Sequence, residues 1–238
     1  NRLKAIHYPD NKGNDVSYQY GAANLNNGLN QIGRLVKVTD ASGSEEREYG
    51  KLGETVKETR TIASHTQGNS ANSPEVYTTQ YQYDTFGRIL TLTLPDSEII
   101  TYAYDAGGNL ATFAGDKATQ GSGSSHTAYL QTLLYDKFEQ RTHVKLGNGV
   151  ETNYSYDQKN RRLNNLTSQG AVAGKFQNLN YSYDKVGNIL GLSNDTAIPA
   201  PGGMGGPTAQ SYGYDDLYRL TSAKGTFQSA PDKTRNYQ

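Results

Sequence analysis

Residues 81–95, YQYDTFGRILTLTLP, contain the plan of a complete β-hairpin. Tyr81 and Tyr83 are two positions apart, so in an extended chain both rings lie on one face. Asp84 and Gly87 then occupy the first and fourth positions of a type I turn, where the carboxylate accepts backbone N–H bonds and glycine adopts the positive φ of a following bulge. Alternating leucines follow. The stretch therefore predicts two antiparallel strands joined by a tight turn.

The same plan recurs along the whole chain. Tyr-Asp pairs stand at 83–84, 104–105, 135–136, 156–157, 183–184 and 214–215, and copies with Gly in place of Asp stand at 20–21 and 49–50. The residues of the repeated motif are Tyr81, Tyr83, Asp84, Gly87, Tyr102, Tyr104, Asp105, Gly108, Tyr135, Asp136, Tyr154, Tyr156, Asp157, Tyr181, Tyr183, Asp184, Gly187, Tyr212, Tyr214 and Asp215. Because one unit is written many times, we predict an all-β fold of tandem antiparallel β-hairpins that form an open, curved sheet.

The fourth position of these turns varies. It is occupied by Gly87, Gly108, Gly187, Asn160, Glu139 and Tyr218. Glycine and asparagine tolerate positive φ, whereas glutamate and tyrosine tolerate it poorly. We therefore expect the turns at Glu139 and Tyr218 to differ in geometry from the others.

Spacing between copies is uneven, and the longer intervals contain insertions. Residues 63–74, 114–127 and 197–210 are rich in Gly, Ser, Pro and other small residues, so we predict surface loops there. A fourth insertion is predicted at 22–32. No stretch has helical periodicity, and residues 1–238 are expected to form a single repeat array.

Composition and charge exclude several classes of function. Only 34% of the residues are hydrophobic, which argues against a thick core. The 23 basic and 23 acidic residues cancel without forming charge runs, so nucleic acid is not expected as a partner. There is no cysteine for a disulfide or a thiolate site. No apolar run reaches the length of a membrane span, and both chain ends look cut, so we expect a fragment of a longer protein.

Residues able to carry chemistry do not converge. The recurring Asp and Tyr side chains stand at equivalent turns, which favours a structural role over catalysis. The four histidines are scattered, the 10–15 segment departs from the calcium-loop pattern, and the glycines at 202–206 lack the lysine and helix of a phosphate loop. We predict no catalytic, cofactor-binding or metal-binding residue.

The pattern Tyr-x-Tyr-Asp-x-x-Gly-Arg/Asn-Leu/Ile, repeated at intervals of about 20 to 34 residues, resembles the YD repeats of the Rhs family. That family includes the C components of bacterial toxin complexes, polymorphic toxins and the animal teneurins. The resemblance rests on the segments 81–89, 102–110 and 181–189, and the degenerate copies extend it over the whole chain.

The resemblance implies a strip of hairpins that spirals into a hollow shell around a toxic cargo domain. It implies a secreted or cell-surface protein whose partners are the remainder of the shell polypeptide and the enclosed cargo. This chain is too short to close a shell, so we expect a section of the wall, without enzymatic activity. The alternative is an adhesion surface whose tyrosine rows bind carbohydrate or protein. Exposed edge strands near 1–20 and 212–238 are expected to allow self-association.

Overall fold

The computed structural model describes residues 2–10, 12–22, 28–63, 66–67, 70–71, 73–119, 123–171, 174–197, 206–227, 230–231 and 235–236. The chain divides into two units. Unit 1 consists of Asn1–Ala103 and Ala114–Thr127, and unit 2 of Tyr104–Phe113 and Ala128–Gln238. None of the described segments forms a helix long and apolar enough to cross a membrane.

Unit 1 is an antiparallel meander. Its strands are β1 (Ala5–Ile6), β2 (Val16–Tyr20), β3 (Leu35–Asp40), β4 (Gly43–Tyr49), β5 (Thr55–Ile62), β6 (Thr66–Gln67), β7 (Ser70–Ala71), β8 (Glu75–Tyr83), β9 (Ile89–Thr93) and β10 (Ile99–Tyr104), which ends one residue inside unit 2; a 3-10 helix spans Lys12–Asn14. Each main strand pairs with the next, and β5 pairs with β8. The intervening β6 and β7 form a small separate hairpin.

Unit 2 repeats this arrangement. β11 (Leu110–Thr119) and β12 (Gly123–Tyr135) have residues in both units, and they are followed by β13 (Arg141–Leu146), β14 (Glu151–Tyr156), β15 (Leu163–Gly170), β16 (Gly174–Tyr183), β17 (Ile189–Asn194), β18 (Thr208–Tyr214), β19 (Leu220–Phe227), β20 (Ala230–Pro231) and β21 (Arg235–Asn236). Strands β12 to β19 pair antiparallel in chain order, and β19 also pairs with β20 and β21. The predicted all-β fold of tandem antiparallel hairpins is confirmed.

Burial is shallow throughout the described residues. The buried hydrophobic side chains there are Ile100, Leu130 and Leu133, and no described side chain is completely buried. A sheet packed on both faces would bury whole side chains, because interiors are close-packed. Stability must therefore come largely from the ladders and from contacts between neighbouring hairpins.

A turn that follows a Tyr-Asp pair is called here a Tyr-Asp turn. The aspartate N–H donates to the carbonyl of the fifth residue, as from Asp84 to Arg88 at 2.9 Å. In most of these turns the N–H of the fourth residue also donates to the aspartate carbonyl, at 3.1 Å for Gly87, 3.0 Å for Gly108 and 2.9 Å for Tyr218. The strand register shifts by one residue beside the tyrosine, as between Gln82 and Tyr83. The predicted type I turn with a bulge is therefore present.

The prediction that the turns at Glu139 and Tyr218 differ in geometry is wrong. Both residues have φ of 61°, in the left-handed region, and both donate to the aspartate carbonyl as the glycines do. The flanking ladders and the aspartate bonds impose this conformation against the residue's own preference.

Another correction concerns the turn that begins at Asp157. Its left-handed residue is Arg161, with φ of 63°, and not Asn160. The N–H of Arg161 donates to the carbonyl of Asp157 at 2.9 Å, so this turn is one residue longer than the others.

The insertions differ from the loops expected of them. Residues 63–74 include the β6–β7 hairpin, and residues 114–119 and 123–127 belong to β11 and β12. Most of 197–210 lies outside the described residues, and Thr208 already begins β18. At 66–67, 70–71, 114–119 and 123–127 strands therefore replace the expected loops, because Ser, Thr and small residues can pair as strands once the preceding ladder fixes their register.

The insertion at 22–32 lies inside a turn. The N–H of Gly21 donates to the carbonyl of Arg34, and the N–H of Gly33 donates to the carbonyl of Gly21, both at 2.9 Å. These two bonds match those of the uninterrupted turns, where Asp84 and Gly87 make them. The degenerate copy therefore keeps both closing hydrogen bonds of the turn although a segment is inserted between the two glycines.

We predict that Tyr218→Gly and Glu139→Gly each stabilise the protein by about 1 kcal/mol, because glycine relieves the cost of positive φ. Gly87→Ala should destabilise it by about 1 kcal/mol, because nothing lies within 4 Å of an added Cβ and only the backbone cost remains. Urea titration measures all three. Loss of stability in Tyr218→Gly would contradict the strain assignment.

Candidate functional site

The aspartate of each Tyr-Asp turn holds the turn through its two carboxylate oxygens. In Asp84, Oδ1 accepts the backbone N–H groups of Phe86 and Arg88, both at 2.9 Å. Its Oδ2 accepts the Arg88 Nε at 2.7 Å. One side chain thus satisfies two turn amides and holds the side chain that directly precedes the return strand β9.

In other copies, too, one carboxylate oxygen accepts turn amides and the other binds a side chain. The Oδ2 atom binds the side chain four residues on in two further turns, Asn188 to Asp184 at 2.8 Å and Arg219 to Asp215 at 2.6 Å. Oδ1 accepts turn amides at Asp105, Asp136, Asp157, Asp184 and Asp215. The aspartates are therefore occupied by their own turns.

In several copies the tyrosine that precedes the aspartate, or the glycine in its place, joins its hairpin to the previous one. Its hydroxyl donates to the carbonyl of the first residue of the strand that leaves the previous Tyr-Asp turn or its degenerate copy. The pairs are Tyr83 to Thr55, Tyr156 to Arg141 and Tyr183 to Leu163, each at 2.9 Å, Tyr214 to Ile189 at 3.0 Å, and Tyr49 to Leu35. We call this contact the tyrosine latch.

The latch lies where the backbone ladder between hairpins has ended. Strands β5 and β8 pair no closer to this end than Lys57 with Gln80. Thr55 and Tyr83 lie beyond that pair, so no backbone ladder joins these two residues to each other, and the phenol of Tyr83 spans the gap. The same holds for Leu163 and Tyr183, beyond the Asn165–Asn180 pair. A side chain therefore continues the sheet past its last backbone bond.

Arginines link consecutive turns in unit 2. Arg161 binds the carboxylate of Asp136 in the preceding turn, and its carbonyl accepts the Gln140 Nε2 at 2.9 Å. Its neighbour Arg162 reaches the following turn, where its Nη1 donates to the carbonyl of Asp184 at 2.6 Å. The Arg162 guanidinium also lies 5.6 Å from the centre of the Tyr183 ring. Two adjacent arginines thus connect three turns.

The degenerate turn at 50–53 in unit 1 replaces the missing aspartate. A Cβ on Gly50 would lie 1.9 Å from Oε1 of Glu54, so the Glu54 carboxylate occupies the space of an aspartate side chain. Arg34 approaches Gly53 in the same turn, and its guanidinium lies 5.4 Å from the Tyr49 ring centre. The carboxylate has moved from the first to the fifth position of the motif.

Paired tyrosines stack along one strand. The rings of Tyr81 and Tyr83 are 6.3 Å apart at 25°, and those of Tyr181 and Tyr183 are 6.4 Å apart at 14°. Offset stacking of this kind stabilises the latch ring by packing. Partial burial raises the pKa of Tyr83 and of Tyr183, which keeps their hydroxyls protonated as donors.

Turn carboxylates are held ionised. The N–H groups of Asn160 and Lys159 lower the pKa of Asp157. Partial desolvation would raise the pKa of Asp184, but the bonds from Gly187 and Asn188 outweigh it and the pKa lies below its ordinary value. These aspartates are therefore poor general acids or bases near neutral pH.

The motif residues predicted from the sequence lie at equivalent places in successive hairpins rather than in one cluster. Within the described part of the chain, no group of three or more His, Cys, Asp or Glu residues is arranged to hold a metal ion. His7 pairs with Asp15, and His126 with Asp116. The His65 position lies outside the described residues. The contacts of the motif residues hold turns together and connect successive hairpins.

Sequence reasoning missed the residues that connect turns, above all Arg161, Arg162 and Gln140, and it missed the carboxylate that Glu54 supplies to its own turn. One signal was available: arginine recurs directly after the turn at Arg34, Arg88 and Arg219. Nothing in the sequence indicated which turn each arginine reaches, because that depends on the spacing of neighbouring hairpins.

Comparison with known proteins identifies the repeat. Residues 83–118 match the model of the RHS Repeat family. Toxin subunit YenC1 of Yersinia entomophaga is 33% identical over 159 residues, which cover 64% of this chain and 16% of that protein. Toxin subunit YenC2 of the same organism is 29% identical over 236 residues, which cover 83% and 22%. Residues 83–118 therefore contain an RHS repeat, and the Tyr-Asp hairpins on either side repeat its pattern.

Solved structures share the fold. The TcdB2-TccC3 structure without its hypervariable C-terminal region has a TM-score of 0.76 and 25% identity, covering 93% of this chain and 11% of that chain. The Photorhabdus luminescens Tc holotoxin pore structure has a TM-score of 0.65 and 19% identity, covering 93% and 14%. The chain spans about a fifth of the length of the curated relatives it matches.

We predict that Tyr83→Phe, Tyr183→Phe and Tyr214→Phe each cost about 1 kcal/mol of unfolding free energy, because each leaves a carbonyl without its donor. The exposed Tyr8 serves as the control, and Tyr8→Phe should change stability little. Urea unfolding followed by circular dichroism gives the differences. Equal effects at Tyr8 and Tyr83 would remove the energetic role of the latch.

Stability should fall as pH drops below about 4, where aspartates in the unfolded chain become protonated. The folded pKa values of Asp84, Asp157, Asp184 and Asp215 are depressed, so their contribution is fully present above the unfolded pKa and is lost as pH falls through the folded pKa. Asp184→Asn keeps an acceptor but no charge, so it should be less stable at pH 7 and lose less between pH 7 and pH 3. Parallel acid losses in variant and wild type would contradict this assignment.

Proposed function

We propose that this chain is a section of the wall of an Rhs-type shell that sequesters a toxin or effector cargo domain. The observation that carries the proposal is the tyrosine latch. It recurs in both units, where it ties the hairpins of Tyr49, Tyr83, Tyr156, Tyr183 and Tyr214 to the hairpins before them. Such joints add area to a sheet without creating any single reactive centre.

A wall requires continuity between repeats more than a thick core. Shallow burial fits this requirement, because each hairpin gains its stability from its neighbours. Arg161 and Arg162 also join neighbouring hairpins, because their contacts connect three turns. The contacts that keep neighbouring hairpins together are thus distributed along the strip.

The relatives support a role in a toxin complex. YenC1 and YenC2 are toxin subunits, and the TcdB2-TccC3 structures place the same fold in a larger assembly. By this analogy the partners of the chain are the remaining shell polypeptide and an enclosed cargo domain, and the protein is secreted or displayed at the cell surface. We propose no catalytic activity, cofactor or metal for this segment.

The adhesion alternative has less support from the geometry. A carbohydrate platform needs free aromatic faces. The repeated Tyr81–Tyr83 and Tyr181–Tyr183 rings stack on each other instead, and the latch hydroxyls of Tyr83 and Tyr183 are occupied. A glycan array probed with the isolated chain tests this alternative, and specific binding would favour it.

The decisive experiment uses the full-length protein and measures how well its cargo domain is protected from protease. We expect the triple variant Tyr83→Phe, Tyr183→Phe, Tyr214→Phe to expose the cargo to faster cleavage, because the wall opens between hairpins. The matched control is Tyr8→Phe, Tyr77→Phe, which changes exposed tyrosines away from the latch.

Deletion of residues 1–238 should abolish cargo protection altogether. If protection survives the deletion, this segment is not part of the wall. If the isolated chain shows an enzymatic activity that one aspartate substitution removes, the structural assignment is overturned.

A further inference from the structure

The turn between β13 and β14 contains the pair Asn148-Gly149, at which a polypeptide chain can modify itself. We call residues 146–149 the Asn-Gly turn. It closes with the N–H of Gly149 donating to the carbonyl of Leu146 at 3.0 Å. Gly149 has φ of 81°, so the turn favours glycine at this place, and Asn148 is exposed to solvent. The fold therefore places glycine directly after an exposed asparagine.

An asparagine followed by glycine can lose ammonia without an enzyme, because glycine has no side chain that hinders attack by its nitrogen. The deprotonated backbone nitrogen of Gly149 attacks Cγ of Asn148, and ammonia leaves from the side-chain amide. Water then opens the resulting five-membered cyclic imide at one of its two carbonyls. One opening gives aspartate, and the other gives isoaspartate, whose main chain runs through Cβ and Cγ. In sum, one water is consumed and one ammonia is released, with no redox change.

The closed turn opposes the first step of this reaction. The N–H of Gly149, which must lose its proton, is held by the Leu146 carbonyl, and Oδ1 of Asn148 accepts the N–H of Val150 at 3.0 Å. The third position of a type I turn has ψ of about 0°. Ring closure instead requires Cβ of Asn148 to lie in the plane of the following peptide, beside the Gly149 nitrogen, which is a different ψ. Closure therefore holds both reacting groups in an unreactive arrangement.

Neighbouring strands of unit 2 hold the Asn-Gly turn in place. The N–H of Gly147 donates to the carbonyl of Tyr129 in β12 at 3.0 Å. On the other side, a Cβ added to Gly149 would lie 3.1 Å from Cβ of Ala171, just after β15. The turn is thus bonded to one neighbouring strand and lies close to the end of another.

The β13–β14 pair is held at its other end by a tyrosine latch. The hydroxyl of Tyr156 donates to the carbonyl of Arg141 at 2.9 Å. Three ladder pairs, from 143 with 153 to 145 with 151, lie between this latch and the Asn-Gly turn. A ladder this short opens readily once one end is released. The latch and the turn therefore control opening of the same strand pair.

We propose that Asn148-Gly149 is a self-modification site whose reaction is gated by opening of the β13–β14 pair. While the pair is closed, Asn148 persists. Each opening releases the N–H of Gly149 and lets ψ of Asn148 change, so a fraction of the openings ends in the cyclic imide. Refolding does not restore the lost amide. The converted fraction therefore increases with every opening of this part of the strip.

The two products have different effects on the turn. Aspartate leaves the main chain unchanged and can accept the N–H of Val150 as Asn148 does. A carboxylate already has this role in the turn of Asp96, whose Oδ1 accepts the N–H of Glu98 at 3.3 Å. Isoaspartate adds one carbon to the main chain inside the turn, so the hydrogen bonds that close the turn lose their register. A strand pair that has formed isoaspartate therefore does not reclose as before.

Incubation at about pH 8 followed by site-resolved peptide mapping in a mass spectrometer tests the proposal. Mapping separates Asn148 from the other Asn-Gly pair, 27–28, whose asparagine lies outside the described residues. We expect conversion of Asn148 to be at least about tenfold slower in the folded chain than in a synthetic peptide of residues 144–152, because the closed turn opens rarely. The chain unfolded in urea should react as fast as the peptide.

Latch variants distinguish local from global opening. Tyr156→Phe removes the latch of the β13–β14 pair and should speed conversion of Asn148 about fivefold, because the lost hydrogen bond favours opening. The matched control Tyr214→Phe removes the latch between β17 and β18 and should leave the rate unchanged. Asn148→Asp should unfold at the same urea concentration as the wild type, whereas the purified isoaspartyl chain should unfold at a lower one.

Equal rates in the folded chain and in the peptide would overturn the gating. So would equal acceleration by Tyr156→Phe and Tyr214→Phe, because the reaction would then follow unfolding of the whole chain. An Asn148 that stays intact even in the urea-unfolded chain would reject the site itself. These outcomes do not depend on cargo protection, so the proposed wall function is tested separately.

Discussion

The hydrogen bond from a tyrosine hydroxyl to the carbonyl of the previous hairpin is the contact on which the rest of this molecule depends. Within a hairpin the ladder runs to the turn, but between hairpins it ends earlier, as after the Lys57–Gln80 pair. An unsatisfied carbonyl at each junction would weaken the sheet where repeats meet. Tyrosine suits the gap because its ring provides length and apolar packing while its hydroxyl provides the donor.

The aspartate makes this contact reproducible. By accepting two or three turn amides, it fixes where the preceding tyrosine stands relative to the previous hairpin, so the latch needs no help from a buried core. The turn is determined strongly enough that Glu139 and Tyr218 adopt positive φ within it. Where the aspartate is absent, at Gly50, Glu54 supplies a carboxylate from the other end of the turn.

The sequence allowed the hairpins, the turn chemistry and the bulges to be predicted, because these depend on residues a few positions apart. It did not reveal that the turn at Asp157 is one residue longer, with Arg161 at its left-handed position. Nor did it reveal that Arg161 contacts the preceding turn and Arg162 the following one. Both features depend on the register between neighbouring hairpins. Strand extension through 114–119 and 123–127 was missed for a related reason. Composition there resembles a loop, whereas an existing ladder decides the conformation.

The turn interrupted between Gly21 and Gly33 shows how such a strip can acquire new parts. Its two closing bonds persist although eleven residues, 22–32, stand between the glycines. The entropy of closing a loop grows only with the logarithm of its length, about 0.6 kcal/mol per doubling. A Tyr-Asp turn is therefore a position that tolerates inserted sequence. Foreign epitopes, tags or whole domains placed there would lie beside the turns of the strip, and the strands would keep their register.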